Sequence, residues 1–96
     1  MAKLVWDPVT QYADGAPITN ADLVEYNVWW RSGTTGYNSA DVRSAGVNEE
    51  LDLAFLVPGH YNLAVSAKLG ALESVRSLDL PFDNVPPASP TGLAIL

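Results

Sequence analysis

Side chains able to carry proton or metal chemistry are few and scattered in these 96 residues. His60 is the single histidine, predicted to face outward, with no cysteine or carboxylate at ligand spacing. An ordinary surface residue fits it better than a general base. Glu49 and Glu50 are adjacent, so a strand sends them to opposite faces, poor geometry for shared acid–base work. Asp14, Asn20 and Asp22 offer oxygens in a loop but lack the alternating acidic spacing of a calcium loop. Serines and threonines are frequent, yet none has a base in prospect once His60 is assigned to the surface. The Arg-Gly-Asp adhesion tripeptide is absent. The expectation is no enzyme, no metal and no cofactor.

Composition narrows the class of partner. With 48% hydrophobic and 17% charged residues the chain is globular rather than disordered, and its length suits one domain with one core. It has no cysteine, which excludes disulfides and thiolate metal sites and leaves the redox compartment open. The net charge is −6, and the five cations stand singly at Lys3, Arg31, Arg43, Lys68 and Arg76. Nothing there neutralises a phosphate backbone, so no nucleic-acid partner is expected. No apolar run approaches the ~20 residues of a membrane span, and the opening residues lack a secretory leader's pattern. Membrane insertion is not expected.

The elements that would position any site read as strands. Leu4 and Trp6 share one face of a first strand that Pro8 ends. Val9–Ala21 is a turn-rich loop in which Asp14-Gly15 supplies positive φ and Tyr12 and Ile18 pack back. Leu23–Arg31 is the second strong strand, with Val24, Tyr26, Val28 and Trp30 inward and Trp29 outward among polar neighbours. A large aromatic so placed is covered by the following loop, stacked by Arg31, or a partner contact. A glycine-marked connection follows, with a short edge strand around Ala40–Arg43. Alternation resumes over Val47–Phe55, with Leu51, Leu53 and Phe55 on one face. A tight Pro58-Gly59 corner leads to Tyr61, Leu63, Val65 and Ala67 on one face of the next strand, with His60, Asn62, Ala64, Ser66 and Lys68 on the other. Leu69-Gly70-Ala71 is a hairpin connection. Leu72–Phe82 reads as one further strand with Leu78 and Leu80 inward. No segment keeps a helical period beyond one turn, so the domain is all-β.

About six short strands at this spacing suggest a two-sheet immunoglobulin-like sandwich. In order, Trp6, Tyr26-Asn27-Val28, Leu56-Val57-Pro58-Gly59 and Tyr61 resemble the marks of a fibronectin type III domain. The Asp14–Ile18 loop and the Gly70–Ser74 stretch are similar to its bacterial and phage members. The resemblance spans the chain and implies a core defined by Trp6, Tyr26, Val28, Trp30, Leu56, Pro58, Gly59, Tyr61 and Leu63. It also implies a tyrosine corner, in which the Tyr61 hydroxyl bonds backbone a few residues upstream. Trp6 would sit between the sheets against Tyr26 and Leu63, burying about 200 Å².

The chain departs from that family in order. Trp6 stands near the start with no first strand before it, while Pro90-Thr91-Gly92-Leu93-Ala94-Ile95-Leu96 looks like that strand at the far end. Residues 1–82 then hold strands two to seven, and 83–96 are a proline-rich linker and a first-strand-like segment. Leu93, Ala94, Ile95 and Leu96 complete either their own sandwich, as in a circular permutant, or a neighbour's, by donation. The eight residues from Phe82 to Ser89 span at most about 26–29 Å, so self-closure is taut. Head-to-tail donation delivers the strand to an open edge and grows a ring or filament. The plain alternative is a frayed tail or the start of a linker.

Two functional classes follow. One is a structural or assembly protein, resembling a small bacteriophage virion component of the head, neck or tail, assembled in host cytoplasm as a homo-oligomer or against other virion proteins. The other is an extracellular or cell-surface module for carbohydrate or adhesion, with Trp29, Tyr12 or Tyr37 as stacking platforms.

Overall fold

The computed structural model describes residues 2–32, 36 and 41–96, with the side chain of Asp22 excepted. The expectations for Tyr37 and for Ala40 lie outside the described residues. In chain order the strands are β1 (Lys3–Val5), β2 (Glu25–Ser32), β3 (Val42–Gly46), β4 (Glu50–Asp52), β5 (Gly59–Leu69), β6 (Leu72–Glu73) and β7 (Leu80–Asn84). A single 3-10 turn at Ala21–Leu23 precedes β2. The protein is all-β.

Two strands organise the larger sheet. β2 and β5 pair antiparallel from Glu25↔Lys68 to Ser32↔Tyr61. β3 flanks β2, and both β6 and β7 pair with the other edge of β5. β1 and β4 form a separate two-stranded sheet, Lys3↔Asp52 to Val5↔Glu50. The two sheets enclose the core as a β-sandwich. Inward residues of β2 and β5 alternate as the period-two pattern requires: Tyr26, Val28, Tyr61 and Leu63 are buried. Leu4 reaches them from β1, and Leu53 and Leu56 from the connection after β4. Trp6, Trp30, Phe55 and Phe82 pack around this cluster. A second cluster of Val24, Tyr26 and Ala45 is capped by Val9 and Ile18. Trp6 touches both clusters and meets Tyr26 edge-on at 5.5 Å between ring centroids.

The Val9–Ala21 loop folds on itself. Tyr12 and Ile18 N–H donate to Ala16 and Thr10 carbonyls, and Gln11 bridges Pro17. The reversal needs a positive φ, which Gly15 supplies at 89°. Val9 N–H donates to the Tyr26 hydroxyl at 2.9 Å, tying the loop to the core. Ile18 packs back as expected, whereas Tyr12 is about half exposed.

Three expected elements differ. The turn before β5 does not sit at Pro58-Gly59. It spans Leu53–Leu56, closed by Leu56 N–H to Leu53 C=O at 3.1 Å, with the Asp52 carboxylate accepting Ala54 N–H. That local side-chain bond ends β4 at Asp52, so alternation does not run on to Phe55. Pro58 is exposed, and Gly59 already belongs to β5. The edge strand β3 begins at Val42, within the expected Ala40–Arg43 span, and runs on to Gly46.

Leu72–Phe82 is not one strand. Between Lys68↔Glu73 and Leu63↔Leu80, β5 moves from 68 to 63 while the edge chain moves from 73 to 80. Two extra residues bulge outward, and Leu78 is almost completely exposed; Leu80, paired with Leu63, keeps the inward face but stays about half exposed at the sheet edge. Two serines replace the missing ladder. Ser74 N–H donates to Ala67 C=O and Ser77 N–H to Val65 C=O. In return Ala67 N–H donates to Ser74 Oγ at 2.9 Å and Val65 N–H to Ser77 Oγ at 3.0 Å.

Residues 85–96 carry no strand and are exposed throughout. A compact chain of this length has a radius of gyration of about 12–13 Å, against 17.5 Å here. β5, at 11 residues, spans only about 36 Å of a longest dimension of 67 Å. The segment extends away from the body.

Candidate functional site

The Pro58-Gly59-Tyr61 region closes one end of the sandwich. Tyr61 Oη donates to Val57 C=O at 2.6 Å, and its ring packs on Leu63 and Leu56 in the core. Asn84 Nδ2, from the end of β7, donates to Leu56 C=O at 3.2 Å and to Val57 C=O at 3.3 Å. A Cβ at Gly59 would meet the Tyr61 ring at 3.4 Å, ordinary contact, so glycine is not obligatory there.

Trp29 lies on the outer face of β2 and is partly covered. Arg76, from the bulged edge, stands over its ring at 5.1 Å. Arg31 pairs with Asp79. Trp29 Nε1 donates to Ser66 Oγ at 3.0 Å, Ser66 Oγ donates to Glu73, and Asn27 Nδ2 donates to the same Glu73 oxygen at 3.1 Å. The Ser66 and Asn27 bonds, with lesser help from Lys68 and Arg76, hold the Glu73 carboxyl below its ordinary range against a small opposing effect of burial. This chain of bonds buries Ser66 and Ala64 on a face that alternation alone assigns to solvent. The signal for it was present: two small residues on β5 face a tryptophan across the pair Trp29↔Ala64. Trp29, Ser66, Glu73, Val75 and Arg76 line a shallow cleft of about 350 Å³.

The scattered acids and the histidine meet partners that sequence spacing did not show. His60 Nδ1 lies 2.9 Å from Asp83, its cross-strand neighbour on β7, both well exposed. Glu50 pairs with Lys3 at 3.2 Å, and Asp14 accepts Ala16 N–H within its own turn. Among the described residues no three His, Cys, Asp or Glu side chains converge as a metal site, and no helix is long and apolar enough to cross a membrane.

Another concave feature is apolar. It is a groove of about 450 Å³ between β1 and the Ser74–Leu80 edge, with Leu4, Trp6, Leu63, Val65, Val75 and Leu80 among its walls. Trp6 Nε1 is buried without a hydrogen-bond acceptor. Tyr12 lines a separate depression beside Leu69 and Leu72. Of the expected partner contacts, Leu93, Ile95 and Leu96 are fully exposed on the tail; Ala94 is exposed with them. No protein-family model matches the chain, and no curated protein or solved structure matches it significantly.

Proposed function

We propose that this chain is a non-enzymatic structural or assembly protein, a fibronectin type III-like domain that acts through protein–protein contacts as a small bacteriophage virion component. The observation that carries the reading is where its apolar surface lies. Val75, Leu78 and Leu80 are exposed along one sheet edge, and Leu93, Ile95 and Leu96 are exposed on the tail. Apolar surface gathered on an open edge and a protruding segment has the chemistry of a docking face.

The fibronectin type III-like reading draws support from two contacts. The Tyr61 hydroxyl meets a carbonyl four residues upstream, the bond expected of a tyrosine corner. Trp6 lies between the two core clusters against Tyr26. In this reading β1 and β4 are the second and fifth strands of the family and β5 the sixth, with β6 and β7 together the seventh.

The carbohydrate or adhesion reading draws less support. Sugar platforms call for aromatics grouped on one face, and Trp29 and Tyr12 line different depressions. Arg76 already occupies a face of the Trp29 ring.

The test is immunodetection in particles banded from lysates of cells that produce the protein. A constant copy number per particle is expected. Recovery only in the soluble fraction refutes the virion assignment, and retention on a glycan array would favour the second class.

A further inference from the structure

We infer that the groove beside β1 is a strand-acceptor site, and that its occupant is the Leu93–Leu96 segment of a second copy of this chain. This deepens the assembly reading and rests on it.

The site begins with an unpaired backbone edge. Among the described residues β1 has β4 as its one neighbour. Trp6 N–H is spent on Glu49 C=O at 3.1 Å, and Ala2 C=O accepts Leu53 N–H at 3.0 Å. Backbone groups of an edge strand alternate sides, so Lys3 and Val5 turn their N–H and C=O to the open side. There a fresh strand finds a ladder to join. The apolar groove adjoins that edge. Trp6, one of its walls, has the buried Nε1 without an acceptor, and a seated strand brings carbonyls alongside it.

The occupant follows from chemistry and from direction. Leu93–Leu96 is apolar, proline-free and fully exposed, four residues long against the three of β1. By the strand period Leu93 and Ile95 share one face, the pair that enters the groove. β5 runs from its Asn84-paired end at Gly59 toward the end where Tyr26 pairs with Ala67. β1 runs the same way, from the Leu53 end to Val9, which bonds the Tyr26 hydroxyl. A strand antiparallel to β1 must therefore enter at the Val9 end, the end remote from Asn84.

The chain's own tail is badly placed to do so. From Lys3 to Trp6, opposite which Leu93 starts, is a climb of about 10 Å, and the step from the larger sheet to the smaller adds about 10 Å. Residues 85–92 must make both and then reverse, and a reversal takes about four residues. The four left over span about 13–14 Å. Pro86 and Pro87 also hold the preceding residues extended where a turn back would begin. In the structure the tail instead leaves the body. A copy stacked head-to-tail receives it at the Val9 end, already in the antiparallel sense.

The native chain has no cysteine, so single thiols report cleanly. Full-length Val5→Cys and Ala94→Cys chains, co-refolded at equal amounts, are treated with a short bismaleimide and run beside light scattering of the unmodified chain. A heterodimer band and a mass above one chain are expected. Adding Ile95→Asp to the Ala94→Cys chain should cut the heterodimer about tenfold or more, since it buries a charge in an apolar groove. A chain carrying both cysteines that cross-links only within itself means self-closure and overturns the inference. So does a monomeric full chain with no cross-link. A monomer that still bands with particles overturns exchange and leaves the assembly reading standing. A tail-linked oligomer absent from particles supports exchange while refuting the virion assignment.

Discussion

Tyr61→Phe removes one hydroxyl and keeps the ring, so it isolates a single bond. The lost bond, Tyr61 Oη to Val57 C=O at 2.6 Å, is short and partly buried. An intramolecular bond of this kind contributes about 0.5–1.5 kcal/mol net, and an orphaned buried acceptor costs about 1–3 kcal/mol. Here the acceptor is not orphaned, because Asn84 Nδ2 still donates to Val57 C=O at 3.3 Å. The expected loss is therefore about 1 kcal/mol, toward the low side of the range, which for a domain of this size lowers the melting temperature by about 4–8 °C. Asn84→Ala alone should cost a similar amount. The double variant should lose about 0.5–1 kcal/mol more than the sum of the two, because only then does the Val57 carbonyl stand empty. Urea denaturation followed by tryptophan fluorescence, with thermal melts by circular dichroism, measures all four corners of the cycle. A Tyr61→Phe protein that melts with the parent refutes the account. Strict additivity would mean that the two donors do not share one acceptor.

Three further outcomes are expected. Leu63→Ala, in the filled core, should cost about 2–5 kcal/mol, whereas Leu78→Ala should stay within about 0.5 kcal/mol; a costly Leu78→Ala in denaturant melts would restore an inward Leu78. Ser74→Ala with Ser77→Ala removes the acceptors of the Ala67 and Val65 amides, so hydrogen exchange should accelerate there and stay slow at Leu63, and unchanged protection refutes the serine-bridged edge. The Glu73 carboxyl titrates lower folded than unfolded; its stabilisation is therefore present above the ordinary glutamate range and fades as pH falls through the folded value. Glu73→Gln should flatten the acid side of the stability curve while leaving its alkaline side unchanged, and an unaltered acid slope counts against the Ser66–Glu73–Asn27 network.

The sequence by itself determined which side of each central strand meets the core. Tyr26 and Val28 on β2, and Tyr61 and Leu63 on β5, are buried where alternation puts them, because a period of two belongs to the local backbone. The Asp14-Gly15 reversal was equally local, set by one residue's tolerance of positive φ. What lies next to what belonged to the tertiary structure. Alternation read straight through Ser74–Asp79, but the register between β5 and its edge gains two residues there and turns Leu78 outward. Arg76, 47 residues away in sequence, stands over Trp29, and Asp83 rather than any sequence neighbour meets His60. Ser66, polar by type, is buried because Trp29 and Glu73 converge on it from two other strands. Each of these pairings is fixed by strand register and by how the edge chain folds over the sheet. Those are sums over distant contacts, and no short window of residues contains them.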